Sequence, residues 1–301
     1  MNEKELIKTI KSTLNSKYIG DDCAYLKDLG IVISQDSLVE DVHFRYDLIS
    51  PYQLGYKSVM VNISDICASG AKPVYLTIAL SLPQYVNEKF VEEFYKGAKC
   101  AAGEAKIVGG DLTGSDKIFI SVTAIGSAFG RKISSRANAK AGYKIIVSGE
   151  HGNSAEGLKK LLNTSCSNCC DDKFIKAHLM PVAQREFSNA ISTQIDKDYA
   201  MMDTSDGLAD ALMQIAKASK VTVKINTSKI PYDKRIDMQT VLYGGEDYQL
   251  IAAVPEEFLV KLKNYTVIGE VIANRVGLQL DNDFYTDIDD KLFNHFKELE
   301  K

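Results

Sequence analysis

Residues 202–209 read MDTSDGLA and place two aspartates, Asp203 and Asp206, three positions apart. The preceding YAMMD predicts a short strand, and the helical spacing of apolar residues from Leu208 onward predicts a helix beginning near Ser205 or Asp206. One acid would satisfy the positive end of the helix, because aspartate and serine are common N-caps. The junction of a strand, a turn and a helix is also a place where enzymes hold anionic ligands. An anionic ligand beside two carboxylates requires a cation between them, so further acids are expected nearby.

The composition is that of an ordinary globular protein. The chain has 301 residues, 45% hydrophobic and 25% charged, and this length favours two domains. Lysine and arginine total 36 against 40 acids, with no basic stripe, so nucleic acid is not expected as a partner. The opening MNEKELIKTIKSTL predicts an amphipathic helix rather than a signal peptide, and the apolar stretches are too short to span a bilayer. We therefore expect no membrane contact and a cytoplasmic location.

Six cysteines are scattered along the chain and are expected to be reduced thiols in that compartment. The cluster CSNCC at 166–170 contains a C-x-x-C, and His178 follows it. A tetrahedral zinc site needs a second ligand pair at comparable spacing, which the sequence does not offer. Zinc is therefore not expected there.

Helices and strands alternate along both halves of the sequence, which predicts an α/β and α+β protein. LGYKSVMVNISDICASG is predicted as a long helix that stops at Gly70. The segment GRKISSRANAKAGYK, at 130–144, is polar and rich in small residues, and it predicts a domain boundary near residue 135. We therefore predict an N-terminal mixed α/β domain over residues 1–135 and a C-terminal α+β domain over residues 136–301.

Further aspartates occur at the ends of other predicted elements. Aspartate is a favoured turn residue, so an ordinary surface turn explains any one of them. Asp65 differs because apolar residues surround it within a helix, and a buried acid needs a partner. One shared role explains the set more economically, and hard oxygen ligands of this number suit Mg²⁺, which bridges carboxylates and phosphate oxygens. The additional aspartates are Asp21, Asp22, Asp36, Asp65 and Asp111.

Two glycine-rich turns are candidate phosphate-binding loops, GGDLTGSD at 109–116 and SGEHGNSAEG at 148–157. Both offer backbone N–H groups. Neither has the Lys-Ser/Thr ending of a Walker A loop or the G-x-G-x-x-G spacing of dinucleotide-binding folds. A nucleotide would therefore be bound by a different arrangement.

Six motifs in a fixed order give the sequence a family resemblance. They are GDDCAYL, QDSLVEDVHF, LGYKSVMVNISDICASGAKP, IVGGDLTGS, MMDTSDGLADAL and LYGGEDYQL. In order and spacing they resemble the thiamine-monophosphate kinases, a family of the aminoimidazole ribonucleotide synthetase-like superfamily. The resemblance implies an N-terminal domain that forms a homodimer through its sheet, with ATP bound near the junction with the second domain. It also implies transfer of a phosphoryl group from ATP to thiamine monophosphate with several Mg²⁺ ions.

The resemblance also implies roles for individual residues. The implied metal ligands are Asp22, Ser34, Asp36, Asp65, Asp111, Asp203 and Asp206. The implied ATP-binding residues are Gly110, Asp111, Arg136 and Ser205, and the implied substrate-binding residues are His43, Glu246 and Phe293. No residue is expected to act as a general acid or base, because the acceptor phosphate is already ionised at pH 7. Direct in-line transfer without a phosphoenzyme is therefore expected.

Some positions depart from the family pattern or have a second interpretation. Gln35 stands where threonine is common, and Asp41 stands where glycine is usual, which questions the conformation of that loop. His43 is equally explained as a structural histidine, Arg136 as a solvated linker residue and Phe293 as a core residue. Two other functions stay open: another ATP-dependent enzyme of the superfamily, and a non-catalytic protein that binds Mg-ATP or thiamine phosphates.

Overall fold

The structure is a computed structural model and describes residues 3–163, 172–273 and 275–292. Helices and strands alternate and form two sheets. The α-helices are α1 (Glu3–Thr13), α2 (Pro51–Ala68), α3 (Glu88–Ala102), α4 (Asn153–Asn163), α5 (Lys173–Leu179), α6 (Arg185–Gln194), α7 (Leu208–Ser219) and α8 (Met238–Tyr243). The strands are β1 (Ala24–Leu26), β2 (Ile31–Val39), β3 (Lys72–Leu82), β4 (Lys106–Gly114), β5 (Phe119–Ser127), β6 (Lys144–Val147), β7 (Ala200–Asp203), β8 (Thr222–Ile225), β9 (Leu250–Val254), β10 (Thr266–Ile272), β11 (Gly277–Leu280) and β12 (Asp283–Tyr285).

The first sheet has the strand order β1-β2-β5-β3-β4 and is antiparallel except for the parallel pair β3 and β4. Alternate residues along each strand point to opposite faces. One face is buried under α2, as the near-zero exposure of Val32, Ile78 and Val122 shows. The other face carries partly exposed side chains, among them Tyr75 and Phe119. We call this second face the outer face.

The second sheet has the order β12-β11-β8-β10-β6-β9-β7. Its strands are antiparallel except for the parallel pair β11 and β8. Ile145 and Val147 of β6 join a core with α7, whereas Ile146 between them joins the core shared with the first sheet. The second sheet therefore has apolar packing on both faces.

Helix α2 lies between the two sheets and contacts β2, β3 and β5 on one side and β7 and α6 on the other. Its first turn is fixed by a capping box in which Ser50 Oγ accepts from Gln53 N at 3.2 Å, with Pro51 as the first helical residue. Because α2 is covered on both sides, its polar side chains face other parts of the protein.

Helices α2 and α3 pack at very short separation because glycine stands at the contact on each. A Cβ atom at Gly97 would lie 1.8 Å from Tyr52 O, and one at Gly55 would lie 1.9 Å from Phe94 O. Any side chain at these positions would push the two helices apart. The glycines thus set how closely α3 packs on α2.

The predicted fold class is confirmed, as are the strand before the MDTSDGLA turn and the long helix of the first half. Helix α2 ends at Ala68, slightly before Gly70. The later start of α7, at Leu208, reflects Gly207, whose positive φ of 104° does not fit a helix. The boundary near residue 135 falls between the last strand of one sheet and the first of the other, and stays a prediction. Among the described helices, none is both long and apolar enough to cross a bilayer.

Candidate active site

Three predicted aspartates converge where α2 meets both sheets. Carboxylate oxygens of Asp22, Asp65 and Asp203 all lie within 4.8 Å of one another. Asp22 precedes β1, Asp65 lies on α2 and Asp203 ends β7, so three separate elements supply them. Asp36 of β2 belongs to the same electrostatic group, because its charge raises the pKa of Asp65. We call these four residues the aspartate cluster.

The cluster concentrates negative charge in a buried place. Burial, followed by the charge of Asp22, raises the pKa of Asp203 to about 7 and also raises the pKa of Asp36. Burial and then Asp36, Asp203 and Asp22 raise the pKa of Asp65 well above its usual range. Like charges this close favour protonation unless a cation lies among them.

Polar side chains around the cluster orient the carboxylates. Ser34 Oγ donates to Asp65, and Ser64 Oγ donates to Asp203 Oδ2 at 2.6 Å. The backbone N–H of Asp36 donates to Asn62 Oδ1 at 2.9 Å. Ser64 and Asn62 were not among the residues predicted from the sequence. The sequence pattern does indicate them, since a row of polar residues interrupts the apolar pattern of α2 at helical spacing.

Arg136, in the segment between the two sheets, forms an ion pair with the cluster. Its Nη2 lies 2.8 Å from Asp22 Oδ1, and its Nη1 donates to Gln214 Oε1 at 2.5 Å. Burial opposes the charge of the guanidinium, but Asp22 keeps the pKa of Arg136 above its usual value. Asp21 lies apart from the cluster and accepts from Arg136 N and Ser135 Oγ, at 2.7 and 2.9 Å. It therefore fixes the interdomain segment.

The donor set of the cluster fits a hard divalent cation. Its carboxylates are close enough to share an ion, and oxygen-only ligands are typical of Mg²⁺. The raised pKa values of Asp65 and Asp203 support the same conclusion. They reflect burial and repulsion between the carboxylates, which the positive charge nearby does not offset. The residues present are therefore suitable for Mg²⁺.

The GGEDY loop carries Glu246 to the other end of the same region. Glu246 and Tyr248 have positive φ values of 65° and 50°, a conformation that side chains other than glycine adopt at a cost. Hydrogen bonds hold the loop in place: Glu246 N donates to Ser205 O at 2.7 Å, and Asp247 Oδ1 accepts from Ser154 N at 2.8 Å. The loop is thus tied both to the MDTSDGLA turn and to the start of α4.

Four charged or titratable groups surround the Glu246 carboxylate. Lys57 Nζ of α2 lies 3.1 Å from Oε1 and 3.2 Å from Oε2, and His178 Nδ1 lies 3.3 Å from Oε2. Burial opposes the ionised form of Glu246, but Lys57 first, then His178 and His43, lower its pKa. Burial, followed by the charges of Glu246 and Asp36, raises the pKa of Tyr248 well above its usual range. The structure thus brings the predicted residues His43 and Glu246 together.

The two acids of the opening motif have different environments. Asp203 is buried within the cluster, whereas Asp206 is exposed at the turn before α7. Ser205 lies between them, and its Oγ donates to Asp203 Oδ1 at 3.1 Å. The structure therefore shows Asp203 as a member of the cluster and Asp206 on its solvent side.

Gly110 and Asp111 lie away from the other predicted residues. They are on β4, at the edge of the first sheet, and both are exposed. Pairing runs from Asp36 through Val122 and Ile78 to Gly110, which is three strand spacings or about 14 Å. Asp111 is one residue further and thus points to the outer face. Within one chain the structure does not bring Asp111 to the cluster.

The two departures from the family pattern are explained by the local structure. Gln35 points to the outer face, where its Nε2 donates to Ser121 Oγ at 3.0 Å, so its side chain is on the opposite face from Asp36. Asp41 has a φ of 65°, the conformation that glycine would adopt most easily. It is also paired with Lys117 at 3.0 Å. The predicted residue Phe293 and the CSNCC cluster lie outside the described residues.

Both halves of the chain match family models of AIR synthase related proteins. The N-terminal domain model matches residues 20–128 and the C-terminal domain model matches residues 140–281. These matches place the chain in a class of proteins that have both domains.

Individual relatives identify one family within this class. The thiamine-monophosphate kinase of Bacillus subtilis (strain 168) is 34% identical over 328 residues, covering 99% of this chain and 100% of the relative. That of Aquifex aeolicus is 34% identical over 286 residues, covering 90% and 92%. The solved structure of AaThiL complexed with AMPPCP and TMP has a TM-score of 0.88 and 32% identity, covering 98% of this chain and 97% of that one. The chain belongs to the thiamine-monophosphate kinase family.

Proposed function

We propose that this protein transfers the γ-phosphoryl group of ATP to thiamine monophosphate, giving thiamine diphosphate and ADP. The main support is the aspartate cluster, which is intact in a chain that matches thiamine-monophosphate kinases over nearly its full length. The structure of AaThiL with AMPPCP and TMP supports the same pair of substrates. The chain's predicted cytoplasmic location is compatible with a biosynthetic enzyme of this kind.

We propose that Asp22, Asp36, Asp65 and Asp203 hold Mg²⁺, with Ser34, Asp111 and Asp206 as further ligands. Bound Mg²⁺ supplies charge neutralisation between two anionic phosphates. Ser34 and Ser64 order the carboxylates of Asp65 and Asp203 in advance, and Asn62 holds the backbone of Asp36, so little reorganisation is needed. Several ions are proposed rather than one, because the ligand set is larger than a single octahedral site uses.

The remaining proposed roles are positioning and charge. Arg136, Ser205 and Gly110 are proposed to bind ATP, with the Arg136 guanidinium suited to a phosphate through its paired donors. His43, Glu246 and Phe293 are proposed to bind the thiamine phosphate. No side chain is assigned to proton transfer, since the acceptor oxygen is ionised at pH 7. The reaction is therefore proposed as a direct in-line transfer.

The position of Asp111 and the outer face of the first sheet support the proposal of a homodimer. In one chain Asp111 points to the outer face of the first sheet, one residue beyond Gly110, which lies about 14 Å from Asp36. The outer face also exposes Tyr75 and Phe119, large rings that a second sheet would cover. We propose that two protomers pair through their first sheets and that Asp111 of one protomer completes the site of the other. Residues 1–135 are the proposed dimerising domain, and residues 136–301 are proposed to complete the substrate site.

The experiment is turnover by the purified protein with ATP, Mg²⁺ and thiamine monophosphate, with free thiamine and an aminoimidazole precursor as parallel substrates. Thiamine diphosphate and ADP should form in equal amounts, and EDTA should abolish both. Product from the aminoimidazole precursor alone would assign the protein to another activity of the superfamily. Binding of Mg-ATP and thiamine monophosphate without product would indicate a non-catalytic binding protein.

A further inference from the structure

Lys57 is a buried charge that none of the proposed roles uses. Its side chain is 1% exposed, although lysine is almost never fully buried without a partner. Its partner is Glu246, which follows it by 189 residues in the sequence. The ammonium group contacts both carboxylate oxygens, at 3.1 and 3.2 Å. An ion pair that joins α2 to the GGEDY loop is therefore part of the site wall.

Within the described residues that contact the Glu246 carboxylate, Lys57 lies closest, at 3.1 and 3.2 Å from its two oxygens. His178 is the other neighbour within 3.3 Å, but burial and then the charge of Lys57 lower its pKa to about 4. His178 Nδ1 also lies 3.1 Å from Ser154 Oγ, so this ring is held by a neutral hydrogen-bonding partner. The ionised state of Glu246 therefore depends mainly on Lys57.

The ion pair lies at a fixed distance from the aspartate cluster. Lys57 and Ser64 are seven residues apart on α2, which puts them on the same face and about 10.5 Å apart along the axis. Ser64 donates to Asp203 of the cluster. The ion pair therefore belongs to the end of the site that is remote from the cluster. The Glu246 side chain is 28% exposed, whereas that of Lys57 is 1% exposed.

We infer that Lys57 is a positioning residue that holds the Glu246 carboxylate ionised and oriented toward the acceptor substrate. The inference rests on the proposed function, because it takes Glu246 as a contact of thiamine monophosphate. Lys57 itself touches no substrate: it acts through Glu246. The strained backbone of Glu246 strengthens the requirement, since a loop with positive φ at two of three residues needs side-chain contacts to keep its conformation.

The test is a double-mutant cycle of Lys57→Met and Glu246→Gln. Each single variant should raise the KM for thiamine monophosphate at least about tenfold, because removing one partner of a buried charge pair is costly. The KM for ATP and kcat should change by less than about threefold, since the pair lies away from the cluster. The double variant should match Glu246→Gln within about twofold, because a residue that acts through its partner loses its effect when that partner is absent.

A control variant and distinct outcomes separate the possible failures. Ser58→Ala removes a neighbouring buried hydroxyl that donates to its own helix, at Leu54 O and 2.7 Å, and should leave both KM values unchanged. If Lys57→Met does not fold, the double variant replaces both charges and still gives the decisive comparison with Glu246→Gln. Multiplied effects in the double variant, or a loss in kcat with an unchanged KM, would overturn the positioning role. Absence of any product from the wild type would instead overturn the proposed function.

Discussion

Arg136 Nη2 donates to Asp22 Oδ1 at 2.8 Å, so a cation of the protein itself already neutralises part of the aspartate cluster. The same guanidinium is proposed to bind ATP. A guanidinium that pairs with Asp22 before ATP binds, and with a phosphate once ATP is bound, would couple metal binding to nucleotide binding.

Replacing Arg136 by methionine separates the two roles. We expect Arg136→Met to lower kcat/KM for ATP at least about tenfold, because a charged phosphate contact is lost. The same variant should bind Mg²⁺ more tightly when no nucleotide is present, since Asp22 is released. Calorimetric titration with MgCl₂ measures the second effect. Equal or weaker Mg²⁺ affinity in Arg136→Met would show that Asp22 is not a ligand.

The cluster predicts how Mg²⁺ stabilisation depends on pH. In the folded, metal-free chain the pKa of Asp203 is about 7 and those of Asp36 and Asp65 are raised, above the value of about 3.9 for unfolded aspartate. The folded state therefore holds more protons than the unfolded one between these values, so the cluster lowers stability as the pH rises through that window. Ionised carboxylates also bind the metal better.

We therefore expect MgCl₂ to raise Tm much more at pH 8 than at pH 5. Thermal unfolding with MgCl₂ or EDTA at both pH values measures the difference. The variant Asp65→Asn removes one carboxylate from the cluster and should reduce the Tm increase at pH 8 more than the increase at pH 5. A Tm increase that is independent of pH and unchanged in Asp65→Asn would place the metal elsewhere.

Asp206 is a site residue by resemblance, and its exposure makes it simple to test. Asp206→Asn keeps the shape of the side chain and should reduce kcat at least about a hundredfold if it is a ligand that acts in the transition state. Its Tm without metal should stay close to that of the wild type, because exposed substitutions have small effects. Asp196→Asn, at another exposed aspartate, is the matched control. Wild-type turnover in Asp206→Asn would remove Asp206 from the metal ligands.

A composite site across a dimer predicts complementation between two inactive variants. Asp36→Asn and Asp111→Asn should each be nearly inactive as homodimers. Mixed dimers formed by co-expression contain one site with both acids intact, so about a quarter of wild-type activity should return if chains pair at random. If one chain supplies both acids, mixing restores nothing. The oligomeric state of each variant is checked by light scattering, because loss of the dimer would also abolish activity.

The contact between α2 and α3 predicts a stability effect that is independent of the site. Gly97→Ala places a Cβ against Tyr52 O and should lower the free energy of unfolding by about 1–3 kcal/mol. Gly114→Ala is the matched control, since nothing lies within 4 Å of the added atom. Chemical denaturation of both variants measures the difference. Equal stability would mean that the helices can separate without cost.

Four of the predicted aspartates, Asp22, Asp36, Asp65 and Asp203, belong to the cluster, and each stands in a motif whose local structure is readable from the sequence. Asp65 illustrates this, since an acid inside an apolar helix requires a partner. The pairing of Lys57 with Glu246 could not be predicted, because contacts between residues this far apart depend on the packing of the two domains. The position of Asp111 was equally hidden, since strand order within a sheet does not follow from local pattern. The conformation of the loop at Asp41 was left open by the sequence, and the structure gives this residue a φ of 65°.

Helix α2 carries both Asp65 of the cluster and Lys57 of the remote ion pair, so a single rigid rod spans the site from end to end. An α-helix rises 1.5 Å per residue, and its length cannot adjust in smaller steps. One inserted residue would also rotate everything beyond it by about 100°, which would turn Lys57 away from Glu246. With the proposed roles, the distance between the two ends, and so the length of the acceptor, can change only by whole helical turns of about 5.4 Å. A related enzyme for a longer acceptor would need a whole additional turn in α2, or would have to draw its remote contacts from another element.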